Sequence, residues 1–228
     1  MFQGFNASTI RYYGAIRKEN SKSAHKENEA LYFEGVKQPL EELYYALYNY
    51  FGGIDGDLLS NKRSCISSAY NDARFSSGAP IKEYFYIRFK LDTADKRNAL
   101  GFFFDASLDG YKYGLNIYHM NAAGMEKIRD YMLDNKRFAT KVIRKLNASG
   151  LLQVQGELYK KAHHPDENAV LRDWLERKRI AFIHEEPLTP EFYGREIFDS
   201  ICLAFDSAKE VYFMLKEALS VGRCLRNS

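Results

Sequence analysis

A carboxylate and two cations lie close together in a segment that reads as a turn between two strands. Asp72, Arg74 and Lys82 surround a stretch rich in serine, glycine and proline. A guanidinium offers a bidentate fork to an anion, and a turn exposes backbone N–H groups. Together with Arg88 on the next predicted strand, these residues predict a site for a carboxylate or a phosphate. The alternative is a structural network, in which Asp72 pairs with Arg74 or Lys82 and pins the turn.

Two further residues belong to this hypothesis. Phe75 lies between the two cations, and we predict that it is an apolar plug that fixes the turn to the core. His119 ends the last strand of the predicted sheet, a place where catalytic groups are often mounted. A structural hydrogen bond explains a lone histidine at such a place equally well, and no nucleophile-elbow pattern accompanies it. His119 is therefore a candidate for the site without an assigned catalytic role.

Metal and nucleotide sites are not predicted. The run from His163 to Glu167 combines imidazole and carboxylate groups, which metals bind. However, the adjacent His163 and His164 point to opposite sides of an extended segment, and the H-x-x-x-H spacing is missing. We therefore predict a loop there, in which Pro165 and Asp166 begin the next helix. The glycines of residues 52–56 lack the lysine and the spacing of nucleotide-binding loops, so no cofactor is expected.

The charge balance is nearly even. The chain has 33 lysines and arginines against 30 aspartates and glutamates, with a net charge of +3. So mild an excess does not favour nucleic acid as a partner. Tyr84 and Tyr86 alternate with Arg88 and Lys90, a pattern on which unpaired bases can stack. Flanking helices would cover the same tyrosines equally well, and nucleic acid is therefore unfavoured.

The cysteines and the N-terminal residues bear on the cellular compartment of the protein. Cys65, Cys202 and Cys224 are an odd number and show no paired metal spacing, so we predict three free thiols in a reducing environment. The first residues show no basic segment followed by an apolar run. Moreover, no window approaches the roughly 18 apolar residues of a membrane span. We expect a cytoplasmic protein without membrane contact.

Helices are predicted at both ends of the chain. In residues 8–51 apolar side chains recur at spacings of three and four, and a glycine pair follows as a stop. Pro39 either starts a helix at its first turn or kinks a longer one that begins near Asn28. The final helix is predicted to begin at Ser207, because Glu210 three residues later completes a capping box.

Strands are predicted between these helical ends. Aromatic and β-branched residues dominate four runs, which are residues 65–70, 83–91, 100–108 and 111–120. The dipeptide Asp109-Gly110 favours a type I′ turn, so the last two runs should form an antiparallel hairpin. In the run 83–91, Phe85, Ile87 and Phe89 share one parity and should face the core. Arg88 and its alternate neighbours should then point away from the core.

The predicted fold class is α+β, with a central, mostly antiparallel sheet and N- and C-terminal helices packed against it. We predict one domain over residues 1–228, because its 46% hydrophobic residues can supply a substantial core. Residues 8–51 are helical, residues 64–120 are β-rich, residues 121–221 mix helices and strands, and residues 222–228 form a tail.

Short motifs resemble a known family. Asp72, Arg74, Phe75, Pro80 and Lys82 are similar to the Arg-Asp-x-Arg-Phe-Ser, Pro-Tyr-Lys signature of DUF2461, a bacterial and fungal family of uncharacterised function. The likeness extends to three further segments, which are the hairpin up to Tyr118, the helix Gly124–Arg129 and the block Lys160–Pro165. The resemblance implies a shared fold but names no activity. It adds Lys160 as a candidate ligand-binding residue.

Several positions depart from the family pattern. Asn71 stands where the family usually has arginine, and Gly78 and Ala79 replace an aspartate and a lysine. Near the N-terminus, Ala24-His25 and Glu29 replace a Trp-Phe pair and a lysine. These departures remove several charges from the predicted cluster, so the resemblance does not imply an activity that needs the full set.

Two functions are consistent with these patterns. The first is a small anionic-ligand-binding or enzymatic domain, whose predicted site residues are Asp72, Arg74, Lys82, Arg88, His119 and Lys160. The second is a non-catalytic protein-interaction module, in which these residues are structural and the aromatic surface meets a protein. A concave pocket lined by these side chains would favour the first function, and a flat apolar patch would favour the second.

Overall fold

The computed structural model describes residues 1–72, 74, 78–92 and 98–220. The strands are β1 (Tyr84–Lys90), β2 (Ala99–Ser107), β3 (Gly110–Tyr118), β4 (Gln153–Gln155) and β5 (Ala181–Glu186). The α-helices are α1 (Ala7–Lys18), α2 (Lys22–Glu27), α3 (Glu29–Tyr32), α4 (Gln38–Gly52), α5 (Lys62–Cys65), α6 (Ala122–Asp134), α7 (Lys136–Ser149), α8 (Ala169–Leu175) and α9 (Glu196–Ser220). The five strands form one antiparallel sheet in the order β1-β2-β3-β5-β4. This architecture confirms the predicted α+β class.

The N-terminal helical prediction is confirmed, and the longer helix around Pro39 is the alternative that forms. The chain stays helical from Glu29 to Gly52, with a π-helical turn at Phe33–Lys37. Proline has no N–H, so the carbonyl of Gly35 lacks its α-helical donor. The Thr9 hydroxyl of α1 donates to this carbonyl instead, at 2.6 Å. A π-turn therefore accommodates the proline, and a neighbouring helix supplies the missing hydrogen bond.

The predicted hairpin is confirmed, but its turn was placed one residue too late. β2 ends at Ser107 and β3 begins at Gly110, so Leu108 and Asp109 form the turn. Neither of these two residues has a positive φ, and the type I′ prediction is therefore wrong. Gly110, with φ +149°, is required for a different reason. A Cβ at this position would lie 2.4 Å from the carbonyl oxygen of Glu186, so glycine permits the close approach of β5.

The run 65–70 was predicted as a strand, and this prediction is wrong. Its first residue closes α5, and the run then makes isolated bridges, Ile66 with Ile87 and Tyr70 with Ile81. Between these bridges the hydroxyl of Ser67 accepts the N–H of Tyr86 at 3.0 Å. A side chain thus takes a ladder bond that a backbone carbonyl would otherwise accept, which interrupts regular pairing.

The start of the last helix was also predicted wrongly. α9 begins at Glu196, eleven residues before Ser207. The apolar period already runs through Ile197 and Ile201, which are both fully buried. The Ser207 hydroxyl donates to the carbonyl of Ala204 at 2.7 Å, which is the mid-helix arrangement of a serine and not a cap.

The contacts of the chain divide it into two compact units. The first unit comprises Met1–Phe89, Phe103–Tyr113 and Glu185–Cys202. The second unit comprises Lys90–Phe102, Gly114–His184 and Leu203–Ser228. Strands β2, β3 and β5 contribute residues to both units. The single domain over residues 1–228 stays a prediction.

Each unit has an aromatic core. In the first unit the ring of Phe5 stacks on Phe192 with 4.7 Å between centroids, and lies 4.9 Å from Phe85. In the second unit the ring of Trp174 lies 4.6 Å from Phe182, and both residues are fully buried. Aromatic burial of this extent supplies much of the apolar free energy of folding. Within the described residues, no helix is long and apolar enough to cross a membrane.

Candidate functional site

The Asp72 turn is closed by its own residues. The guanidinium of Arg74 binds the carboxylate of Asp72 through two nitrogens, Nε at 3.0 Å from Oδ1 and Nη2 at 2.6 Å from Oδ2. The Arg74 side chain, helped by its backbone N–H, lowers the pKa of Asp72 to about 2. The two side chains are 79% and 45% exposed, so solvent screens this pair. The geometry is that of the structural network considered above.

Lys82 also directs its charge inward. Its ammonium group donates to the carbonyl oxygens of Ser68, at 3.2 Å, and Tyr70. Partial burial lowers the pKa of Lys82, although Asp72 opposes this effect. The amide of Asn71 donates to the carbonyl of Ala79 at 2.8 Å and so closes the base of the turn. Phe75, the predicted plug, lies outside the described residues.

The remaining predicted residues occupy different places. Arg88 lies in β1 in the first unit, together with Asp72, Arg74 and Lys82. His119 belongs to the second unit, where it is exposed and has φ +52° directly after β3. Lys160 is an exposed loop residue of the second unit.

A concave surface lies on the open face of the sheet in the first unit. We call it the sheet groove; its volume is about 620 Å³. Its lining includes the side chains of Tyr84, Arg88, Asp105, Ser107, Lys112 and Glu185. Of the six residues predicted from the sequence, Arg88 lines the sheet groove, and the other five are not among its lining residues.

Strand alternation explains why these side chains share one face. In β1, Phe85, Ile87 and Phe89 are buried while Tyr84 is exposed, which confirms the predicted parity. On β2 and β3, the rings of Phe104 and Tyr111 pack together in the core, 6.5 Å apart. Residues adjacent to these core rings must therefore point to the opposite face. By this alternation β2 contributes Asp105 to the groove, and β3 contributes Lys112.

Asp105 is the most unusual group in the sheet groove. Its Oδ1 atom is buried and accepts no hydrogen bond from any residue that the structure describes. Its Oδ2 atom lies 3.8 Å from Nη2 of Arg88, within ion-pair distance but beyond a hydrogen bond. Burial raises the pKa of Asp105 above the ordinary aspartate value, even though the charges of Arg88 and Lys112 lower it. Asp105 can therefore hold a proton at a higher pH than most aspartates.

The neighbours of Asp105 are positioned by defined contacts. The guanidinium carbon of Arg88 lies 3.9 Å from the ring centroid of Tyr86, which fixes the arginine in a cation–π contact. At the hairpin turn, Arg17 donates to both carboxylate oxygens of Asp109, at 3.0 and 2.8 Å. This bidentate bond lowers the pKa of Asp109 and offsets one negative charge at the end of the groove. Lys112 forms no ion pair with any described residue.

A second polar cluster lies in the second unit. Arg129 of α6 is 5% exposed, and it donates to the carbonyls of Leu175 and Arg177 at 2.9 and 2.8 Å. The buried carboxylate of Glu176 accepts the backbone N–H groups of His163, at 2.8 Å, and His164, at 2.7 Å. Burial alone would raise the pKa of Glu176, but these N–H groups lower it below its ordinary value. The cluster holds the 160–165 block in place.

This cluster bears on the metal prediction. Among the described residues, no group of three or more histidine, cysteine, aspartate or glutamate side chains is arranged to hold a metal ion. The His163 ring stacks on Tyr159 with 4.3 Å between centroids.

The sequence contains a signal for the cluster around Arg129, which is absent from the predictions above. Arg129 falls on the apolar stripe of α6, four residues after Met125, where a charge requires partners.

Asp105 was also missed, and the sequence contained a signal for it. It is the one acidic residue between Leu100 and Ser107 in an otherwise apolar strand. Such a residue either ends a strand or faces a polar surface. Its pairing with Arg88 and Lys112 depends on strand register, which residue types alone do not give.

The fold and this groove define an α+β protein with a charged concave site on an open sheet face. The chain belongs to the family of conserved hypothetical proteins DUF2461, whose family model matches residues 8–212. The match spans α1 to most of α9 and includes every residue of the sheet groove named above. The search of the curated proteins and that of the solved structures returned no match.

Proposed function

We propose that the protein binds a small anionic molecule in the sheet groove. Arg88 and Lys112 meet the anion, and Asp105 accepts a hydrogen bond from the ligand or exchanges a proton with it. The observation that carries the proposal is the buried Oδ1 atom of Asp105, which has no described donor although two cations flank its carboxyl group. A buried acceptor without a partner is costly, and a ligand that brings a donor would relieve this cost.

The charges of the sheet groove support the proposal that its ligand is an anion. Guanidinium and ammonium groups bind carboxylates and phosphates through charge-assisted hydrogen bonds. Protonation of Asp105 would remove one negative charge beside Arg88 and Lys112. Anion binding and protonation of Asp105 should therefore favour one another. The ligand is small, because a volume of about 620 Å³ falls within the usual range of small-molecule sites.

The proposed site shares one residue, Arg88, with the cluster predicted from the sequence. That Asp72, Arg74, Lys82, His119 and Lys160 contribute to ligand binding stays a prediction, because their described contacts serve the turn or lie in the second unit. A cytoplasmic location is likewise our proposal. It is supported by Cys65 and Cys202, neither of which is in a disulfide between described residues, while Cys224 lies outside the described residues.

Calorimetric titration with sulfate and with succinate tests the proposal. Arg88→Ala and Lys112→Ala should each weaken binding roughly 10- to 100-fold, because a hydrogen bond to a charged group contributes about 1.5–3 kcal/mol. The matched control is Arg63→Ala, which removes an exposed cation of α5 in the same unit outside the groove lining. The control should bind as the wild type does. Circular dichroism establishes that each variant is folded.

The pH dependence adds a second criterion. Sulfate stays ionised between about pH 4 and 8, so any change in its affinity reports on the protein. Affinity should rise as the pH falls and Asp105 is protonated, and Asp105→Asn should flatten this dependence. A wild-type protein that binds neither sulfate nor succinate would refute the proposal. So would an Arg88→Ala variant that binds both as tightly as the wild type.

A further inference from the structure

A second charged surface lies on α7 and takes no part in the proposed function. The helix carries Lys136, Arg137, Lys141, Arg144 and Lys145, and no aspartate or glutamate anywhere along its length. Its buried face consists of the small and aliphatic side chains Ala139, Val142, Ile143 and Leu146. All five cations are exposed. The positive charge of α7 is therefore concentrated on its solvent side.

Three of these cations have no partner among the described residues. Lys136 pairs with Glu167, and Lys145 pairs with Glu210. In contrast, Arg137, Lys141 and Arg144 form no ion pair or side-chain hydrogen bond with any residue that the structure describes. They follow one another at spacings of four and three residues, so they form one row along the helix. Like charges at these spacings repel one another.

The row lines a concave surface. We call it the α7 groove; its volume is about 400 Å³, and its lining consists of Lys136, Arg137, Thr140, Lys141, Arg144 and Asn168. The side chains of Thr140 and Asn168 lie within 3.4 Å of each other and add neutral donors among the cations. Acidic side chains are missing from this lining.

The start of α7 adds to the positive potential. The helix has no acidic residue in its first turn, and Asn135 makes no side-chain capping bond to it. The Asn135 amide donates instead to the carbonyl of Tyr131, at 3.0 Å. Lys136 and Arg137 thus lie at the positive end of the helix dipole, which cations ordinarily avoid. Acids would be expected at this position in a helix selected for stability alone.

We propose that the α7 groove binds a compact ligand with two or three linked phosphoryl groups. Arginine forks bind phosphoryl oxygens bidentately, and lysine adds a point charge. The row from Arg137 to Arg144 spans about 10 Å, from the helical rise of seven residues. This length suits a diphosphate or triphosphate group. It is too short for an extended nucleic acid, which Glu167 and Glu210, paired with Lys136 and Lys145 on either side of the row, would also repel.

Calorimetric titration of the full chain with inorganic pyrophosphate tests this proposal. The titration is made in the Arg88→Ala background, which weakens anion binding in the sheet groove, and there we expect one site that binds pyrophosphate at least tenfold more tightly than inorganic phosphate. Arg137→Ala and Arg144→Ala should each weaken pyrophosphate binding about tenfold or more. The matched control, Arg179→Ala, removes an exposed cation of the same unit outside the α7 groove and should leave pyrophosphate binding unchanged.

A charge reversal separates binding from folding. Arg137→Glu places an acid in the first turn of α7, so it should raise the melting temperature while it abolishes pyrophosphate binding. ADP distinguishes the sources of the phosphoryl groups. Equal affinity for ADP and pyrophosphate indicates that the phosphoryl groups alone are bound, and tighter ADP binding indicates a nucleotide. Failure to bind pyrophosphate, an undiminished affinity in Arg137→Glu, or preference for a single-stranded oligonucleotide would overturn the proposal.

Discussion

At the scale of single residues, Asp105 and Asp72 show how environment separates two carboxyl groups of one chain. Asp72 is exposed and binds the guanidinium of Arg74 through both carboxylate oxygens, whereas Asp105 is half-buried and its buried Oδ1 atom accepts no hydrogen bond from a described residue. The outward direction of Arg88 was predictable, because strand parity follows from the order of residue types. The partnership of Arg88 with Asp105 was not, because cross-strand neighbours depend on register.

The first prediction concerns the pKa of Asp105. It should exceed the ordinary aspartate value of about 3.9, and Arg88→Ala should raise it further by removing a favourable positive charge. A carboxyl whose pKa is raised by folding destabilises the folded state as the pH rises from its unfolded pKa through its folded pKa. Asp105→Asn should therefore stabilise the protein by about 1 kcal/mol at neutral pH. Carbon-13 NMR titration measures the pKa, and thermal unfolding measures the stability.

The matched control for this substitution is Asp109→Asn. The Arg17 hydrogen bond lowers the pKa of Asp109, so its substitution should lower the melting temperature slightly and not raise it. An Asp105 pKa at or below 3.9 would contradict the burial argument.

The second prediction concerns Asp72. Its pKa should be about 2, and it should return toward the ordinary value in Arg74→Ala, because the Arg74 side chain is the largest cause of the shift. A lowered carboxyl pKa stabilises the folded state above the unfolded pKa, and this stabilisation is lost as the pH falls toward 2. Proton-detected carboxyl titration of both proteins is the measurement. Identical Asp72 pKa values in the two proteins would show that Arg74 does not hold this carboxylate.

At the scale of elements, glycines were the residues most easily misread from the sequence. The sequence pattern predicts Gly110 within a turn, yet its role is to let β5 approach β3. The helix of residues 8–51 was recognisable from its apolar spacing, whereas the π-turn before Pro39 depends on Gly35 and a neighbouring helix. The capping-box pattern at Ser207 likewise predicts a helix start at the wrong residue, because Ser207 lies inside α9. Local patterns give the type of element, and tertiary contacts give its boundaries.

The third prediction tests the packing of Gly35 against α1. A Cβ there would lie 2.3 Å from the backbone nitrogen of Thr9, and backbone atoms cannot move aside cheaply. Gly35→Ala should therefore destabilise the protein by about 1–3 kcal/mol or more, as overpacking does. Gly14→Ala is the control within α1, because no atom lies within 4 Å of its added Cβ. It should stabilise the protein by roughly 0.5–1 kcal/mol. Denaturant titrations in which both variants lose equal stability would refute this account.

At the scale of the whole molecule, composition and periodicity were sufficient for the fold class. Helical spacing at both ends and aromatic alternation in the middle define an α+β protein, as the structure confirms. The division into two compact units was not predictable, because β2, β3 and β5 each contribute to both units and no linker marks a boundary. A shared strand gives no composition shift along the chain.

The fourth prediction is that the chain unfolds cooperatively, as one domain does. Trp174 is the one tryptophan of the chain, and it is buried in the second unit, so its fluorescence reports on that unit. Far-ultraviolet circular dichroism reports on the helices of both units. The two signals should give the same urea midpoint, since β2, β3 and β5 would have to break in their middle for the units to unfold separately. Two separated midpoints would contradict a single domain.

Anion binding in the sheet groove is the central claim, and amide chemical-shift mapping with sulfate tests it most directly. Backbone amide signals of the nitrogen-15-labelled protein are followed as sulfate is added at constant ionic strength. We predict saturable shifts centred on Arg88, Asp105 and Lys112, and we predict that these shifts disappear in Arg88→Ala. Saturable shifts that leave these three residues unchanged, or shifts that persist undiminished in Arg88→Ala, would contradict the claim.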